Sequence, residues 1–176
     1  MSNRIFKYEL SGAFFSIIIG SVLHFIYGWS GKNGIVAIFG AVNESTWEHL
    51  KIAFWPTLMF STFEYFSIFR EAKNFCLAQL TKLVSIPIII VALFYGWLAL
   101  FPDNFFWDIG IFIFAIITAY YISSKLMSSR IKYGLEAFSA FLIVLMLATF
   151  AVFTYFPPQY FIFKDPISGD YGLERK

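Results

Sequence analysis

The sequence predicts an all-α fold, a polytopic membrane helical bundle of about five transmembrane helices, and three observations lead there. Hydrophobic residues make up 59% of the 176 positions and charged residues only 14%, whereas soluble domains carry roughly a quarter charged residues. The mean hydropathy of +0.71 leaves too little polar surface to face water. Five apolar stretches also reach the roughly 20 residues that a helix needs to cross about 30 Å of hydrocarbon. With 22% aromatics, 11 glycines and a single cysteine, Cys76, disordered, collagen-like and disulfide-stapled folds are excluded.

The first stretch, 8–28, carries Glu9 and His24 inside its apolar run and lacks a small-residue cleavage pattern, so it reads as a retained helix rather than a signal peptide. Ser30, Gly31, Lys32 and Asn33 close it with turn chemistry. The apolar piece 34–42 is too short to cross; it is expected to be re-entrant, interfacial or packed over the bundle mouth. The second span, 50–69, contains Pro56 and the third, 75–101, contains Pro87, each expected to kink its helix and free a backbone carbonyl. Cys76 reads as a small packing residue. Pro102, Asp103 and Asn104 introduce the fourth span, 105–124, a basic segment over 125–132 follows, and the fifth span, 135–156, stops at Pro157 and Pro158. The whole chain, 1–176, is expected to be one integral membrane domain. Its tail, 157–176, carries Phe161, Ile162, Phe163 and Tyr171, too apolar for a solvated end, and is expected to fold over the outer side of the bundle.

Short loops rich in Lys and Arg stay on the cytoplasmic side, which places the N-terminus inside and the C-terminus outside. Eight basic residues (Arg4, Lys7, Arg70, Lys73, Lys82, Lys125, Arg130, Lys132) then lie toward the inner face with four acids, Glu9, Glu64, Glu71 and Glu136. Five basic residues and seven acids, Glu44, Glu48, Asp103, Asp108, Asp165, Asp170 and Glu174, lie toward the outer face. The outer end is therefore net negative, which favours cations over nucleic acid, and it holds both histidines.

The densest polar segment is Asn43-Glu44-Ser45-Thr46-Trp47-Glu48-His49-Leu50-Lys51. If helical, it puts Glu44 and Glu48 on one face with Lys51 close by, and His49 about 100° away from Glu48. Ser45 and Glu48 have the spacing of a capping box; Trp47 and Trp55 read as interfacial anchors, and Lys51 as a snorkelling lysine. His24, and Tyr27 one turn further along the first span, approach the same end, as does Asp165 of the tail. His24, Tyr27, Glu44, Glu48, His49 and Asp165 form the candidate ligand-binding set. Two imidazoles and a carboxylate are suitable zinc ligands, so His24, Glu44 and His49 are the candidate divalent metal ligands. Within the spans, Glu64 and Lys82 lie at equal distances from the turn around residue 73 and are expected to form an ion pair between adjacent helices, since charges in a membrane are usually paired; the pair reads as structural, with a proton or ion relay as the alternative.

The stretch Leu23-His24-Phe25-Ile26-Tyr27-Gly28-Trp29-Ser30-Gly31, the 42–51 segment with Pro56 after it, and the tail from Asp165-Pro166 to Tyr171-Gly172 resemble a family of small, uncharacterised bacterial integral membrane proteins. The resemblance covers nearly the whole chain. It implies a multi-pass protein of the bacterial cytoplasmic membrane, and it transfers no activity or catalytic residue.

Three functions fit these residues. The first is binding or moving a small molecule or ion at an acidic, histidine-containing outer pocket; polar residues across the middle are sparse, so a homo-oligomer or a partner membrane subunit would complete a path. The second is a non-catalytic assembly or interaction protein of the lipid bilayer. The third is a metal-dependent hydrolase of a lipid-like substrate, with His24, His49 and Glu44 or Asp165 on zinc; no His-Glu-x-x-His or Gly-x-Ser-x-Gly sequence occurs.

Overall fold

A computed structural model describes residues 3–173 of the chain. The last three positions of the expected tail, Glu174, Arg175 and Lys176, lie outside the described residues. Five helices, α1 (Asn3–Trp29), α2 (Thr46–Ile68), α3 (Phe75–Leu98), α4 (Phe105–Met127) and α5 (Glu136–Tyr155), account for most of the chain. Short 3₁₀ turns lie at Val36–Ile38 and Phe161–Phe163. The described residues contain no strand, only an isolated antiparallel bridge between Lys164 and Tyr171.

Four of the helices, α1, α3, α4 and α5, are long and apolar enough to cross a membrane. The fifth, α2, is 23 residues long but falls short of that apolarity, and its burial explains why. Glu48, Lys51, Thr57, Ser61 and Glu64 are all buried on it, so its polar side chains face other helices. Only the first half of α2 is so enclosed, since Met59, Phe63, Tyr65 and Phe66 stay exposed; polar side chains buried among helices lower its apolarity without facing lipid. The opposite case is α5, whose buried residues are only Ser139, Phe150 and Thr154, while Phe138, Phe141, Val144 and Leu145 stay exposed. The helices also outrun the apolar stretches: α1 begins five residues before position 8 and α2 four before position 50, because polar first turns are helical without being apolar.

The packing closes α1, α2, α3 and α4 into a ring, with α5 lying against α3. Its main core gathers Leu50, Ala53, Phe54 and Trp55 of α2, Leu83 and Ile86 of α3, Ala115, Ile116, Ala119 and Tyr120 of α4, and Phe150 of α5. A smaller cluster of Ile5, Ile68, Phe75, Ala78 and Met127 joins the opposite helix ends. There Arg4 pairs with Glu71, and Asn74 donates to the carbonyls of Leu126 and Ile131 while accepting from the Tyr133 N–H. Both prolines lie inside their helices. Pro56 has no N–H to offer the Ile52 carbonyl, and α1 packs close to that carbonyl: a Cβ on Gly20 would sit 2.9 Å from it and 2.7 Å from the Phe112 ring. Gly20 thus admits α1 to the part of α2 that proline has opened.

The centre of the ring is ionic. Lys82, fully buried, places Nζ 2.8 Å from Glu64 Oε2 and 3.3 Å from both carboxylate oxygens of Glu9, and 4.1 Å from the centroid of the Tyr120 ring. Glu9 Oε1 also accepts from the Ser123 hydroxyl at 2.7 Å, and Glu64 Oε2 from Gln79 Nε2 at 2.9 Å. Four helices meet at one ammonium. The sequence pattern singles out Glu64 and Lys82 but not the third charge, Glu9, although the same rule, an ionisable group inside an apolar run, applies to it.

Two outcomes follow for denaturation in detergent. Lys82→Met, which keeps the bulk and strands two buried carboxylates, is expected to cost about 3–5 kcal/mol. Gly20→Val is expected to cost about 1–3 kcal/mol by overpacking the α1–α2 contact. Wild-type stability in either variant would contradict the corresponding contact.

Candidate functional site

The polar segment before α2 divides its acids between two tasks. Ser45 is the N-cap of α2, so Glu44 lies outside the helix and Glu48 inside it, and the two do not share a helical face. Glu48 turns inward: Oε2 pairs with Lys51 and accepts from the Val42 N–H at 2.9 Å. The capping box does not form. The Ser45 side chain makes no cap hydrogen bond, and the carboxylate that would close the box is drawn instead to a buried ammonium. Lys51 does not snorkel either. Its Nζ is enclosed by Glu48, the Ala37 carbonyl at 2.7 Å and the Thr154 hydroxyl at 3.3 Å, which ties α2 to the 34–42 segment and to α5. That segment accordingly packs against the helices: Ala37 is wholly buried, the Ala41 N–H donates to the Leu23 carbonyl, and the Tyr155 hydroxyl donates to the Gly34 carbonyl.

Trp55 belongs to the core, and Trp47, partly buried, packs against it. Trp55 is 7% exposed. Trp47 packs its ring 4.6 Å from both Phe150 and Phe163, holding the tail against α2 and α5. Asn43 Nδ2 donates to the Gly172 carbonyl, a second clasp on the tail. Asp165 serves the tail itself. Its carboxylate accepts from the Ile167 and Ser168 N–H groups and the Ser168 hydroxyl, and its own N–H donates to the Asp170 carbonyl. Burial alone would raise the Asp165 carboxyl, but these donors and the Glu44 backbone N–H more than offset it and hold the group below its usual range. Asp165 thus shapes the tail and touches the Glu44 backbone, while the clustered ligand atoms are those of His24, Glu44 and His49.

Glu44 is directed to the histidines. Oε1 lies 3.8 Å from His24 Nε2 and Oε2 lies 3.6 Å from His49 Nε2, the two imidazole rings are 5.4 Å apart, and one ligand atom from each residue falls within 4.8 Å of the others. All three side chains are partly exposed. α1 supplies His24, the first turn of α2 supplies His49, and the loop between them supplies Glu44. His49 Nδ1 lies 3.0 Å from the Ser45 carbonyl; a carbonyl can only accept, so Nδ1 carries the proton. In neutral His49 the Nε2 lone pair then faces a carboxylate oxygen, an arrangement that calls for a cation between them. Tyr27, one turn beyond His24, is buried. Asp108 on the first turn of α4 feels the charge of both His49 and Asp103, an acidic neighbour that the sequence pattern did not assign to the cluster because a third loop brings it there.

The separations approach those of a metal site. Zinc with bonds of about 2.0–2.1 Å in tetrahedral geometry sets its ligand atoms roughly 3.3 Å apart; the His–Glu contacts, made to different Glu44 oxygens at 3.8 and 3.6 Å within a cluster spread over 4.8 Å, would draw together around an ion. The Ser45 carbonyl behind His49 is the outer-shell acceptor that commonly orients a metal-bound imidazole. Two concavities lie elsewhere. One, about 180 Å³, runs between α1 and α4 beside Glu9, Phe14, Ile17 and Tyr120; the other lies at the far end beside Arg4 and Glu71.

No curated protein and no solved structure matches the chain. Residues 1–173 match a family described as "Family of unknown function (DUF6512)", in keeping with the uncharacterised family that the motifs suggested. The chain belongs to that family, DUF6512.

Proposed function

We propose that this chain is a small multi-pass membrane protein that binds a divalent metal ion, such as zinc, through His24, Glu44 and His49 at the outer end of its bundle. The orientation is that given by the basic loops, with the N-terminus inside and the C-terminus outside in a bacterial cytoplasmic membrane. The reading treats 1–176 as one domain, with the tail from 157 lying over the metal-binding end. Its supporting observation is the Glu44 carboxylate between two imidazoles, with His49 already oriented by Ser45. Asp108, itself beside Asp103, adds negative charge near His49, which raises the local concentration of cations.

Three protein ligands leave one position of a tetrahedral ion free. That open position suits binding and release of the ion, or of a small molecule held through it. Hydrolysis of a lipid-like substrate is the less supported use, because the Asp165 carboxylate is engaged in its own turn. Passage across the bilayer would draw on a second copy of the chain or a partner membrane subunit. An assembly role is supported by a separate observation: the cluster spans α1, the 41–45 loop and α2, so a bound ion would also staple them together.

The purified chain is expected to take up one zinc or cobalt ion, and His24→Ala and His49→Ala to abolish that stoichiometric binding. Asp165→Asn is expected to keep it. Equal binding in wild type and His49→Ala would reject the site. Because the imidazoles must be neutral to ligate, protons compete with the metal, so affinity is expected to fall as pH is lowered; isothermal titration over a pH series reads this directly. If metal raises stability but metal-loaded vesicles show no uptake or release, the assembly role holds; flux lost in His24→Ala favours ion handling.

A further inference from the structure

The cluster at the centre of the ring does not balance in charge. Glu9 of α1, Glu64 of α2 and Lys82 of α3 are each at most 1% exposed, and two carboxylates facing one ammonium leave a surplus negative charge. The neighbouring side chains cannot neutralise it. Tyr120 of α4 presents its ring to Lys82 and shares a hydrogen bond with Ser16; Ser123 of α4 donates to Glu9, Gln79 of α3 to Glu64, and Ser61 of α2 to Gln79. These are neutral groups. α5 carries one carboxylate, Glu136, which accepts from the Cys76 N–H instead. An unbalanced charge sealed in an apolar bundle costs several kcal/mol, and two carboxyl groups sharing a site avoid it by sharing a proton.

A second observation points to the same place. Glu64 Oε2 takes two donors, from Lys82 and Gln79, while Glu64 Oε1 is buried with no hydrogen-bond partner among the described residues. That atom has an unused place for a proton. Glu9 also lines the cleft between α1 and α4, whose wall is otherwise mostly aromatic and aliphatic, so the cluster lies beside an opening in the ring.

We propose that Glu9, Glu64 and Lys82 form a proton-binding site, in which the two carboxyl groups hold one proton between them at neutral pH. The site is separate from the His24–Glu44–His49 cluster: Glu9 precedes His24 by fifteen residues on α1, about 22 Å along a helix. It stands or falls independently of metal binding.

The number of protons held equals the number of buried acids less the one lysine. Infrared spectroscopy of the purified full-length chain at neutral pH is therefore expected to show the carbonyl stretch of one protonated carboxylic acid that disappears in Glu9→Gln and equally in Glu64→Gln. Both variants are neutral near-isosteres that remove the surplus charge, so both are expected to fold at least as well as wild type, and to lose the fall in melting temperature that wild type shows as alkaline pH removes the proton. Lys82→Met, where it folds, is expected to double the band. A band that persists in both glutamine variants would overturn the proposal, as would its absence from wild type. Unfolding of both glutamine variants would also overturn it, since it would show that the second negative charge is required. Stabilisation of wild type by sodium without the acid band would place a metal cation where the proton is proposed.

Discussion

A charge enclosed in an apolar bundle must be met by another charge, and this requirement organises the molecule. Lys82 cannot be solvated where it lies, so α1 and α2 each turn a carboxylate toward it, and α4 supplies an aromatic face and a hydroxyl. The register of four helices is fixed at one atom, because sliding any of them by a turn, about 5.4 Å, would break its contact. Buried ion pairs add little net stability over apolar packing but penalise every wrong arrangement. That penalty is useful in a bundle whose outer surfaces are uniformly apolar and offer few other cues to rotation or depth.

The same requirement acts at the other end of the molecule, with a different result. Lys51 captures Glu48 and draws the 34–42 segment and α5 inward through the Ala37 carbonyl and the Thr154 hydroxyl. With Glu48 consumed, Glu44 is the acid left beside His24 and His49. The Trp47 stack on Phe150 and Phe163 then fastens the tail across this end, and Asp165 shapes the tail without entering the cluster. One carboxylate builds the fold and the other is left partly exposed beside two imidazoles.

Much of this was legible in the sequence, and the failures share a cause. Apolar length located all five helices, and the rule that buried charges pair selected Glu64 with Lys82, because both depend on chain-local quantities: run length and distance from a turn. Glu9 was passed over as a partner because its distance from that turn means nothing on a helix that is not adjacent in sequence. The shared face of Glu44 and Glu48 holds only if 43–51 is helical throughout, whereas the Ser45–Glu48 spacing already points to Ser45 as the cap; the helix starts at Thr46, and the turn before it sends the two acids in different directions. Lys51 has the residue type of a snorkelling cation, and only the folded 34–42 segment, whose Ala37 carbonyl accepts from it, reveals that it is buried. His24, Glu44 and His49 were grouped from a shared end of the bundle, and in the structure they do adjoin, whereas Asp165, grouped on the same ground, is claimed by a tight turn of its own.

The account turns on whether two imidazoles and one carboxylate at this end hold an ion. X-ray absorption at the zinc edge of the metal-loaded, full-length chain tests it most directly, since the chain has only two histidines and a single cysteine. The account predicts a first shell of nitrogen and oxygen at about 2.0–2.1 Å, with the outer scattering pattern of two imidazoles. A shell containing sulfur, or one of oxygen alone without imidazole scattering, would contradict it.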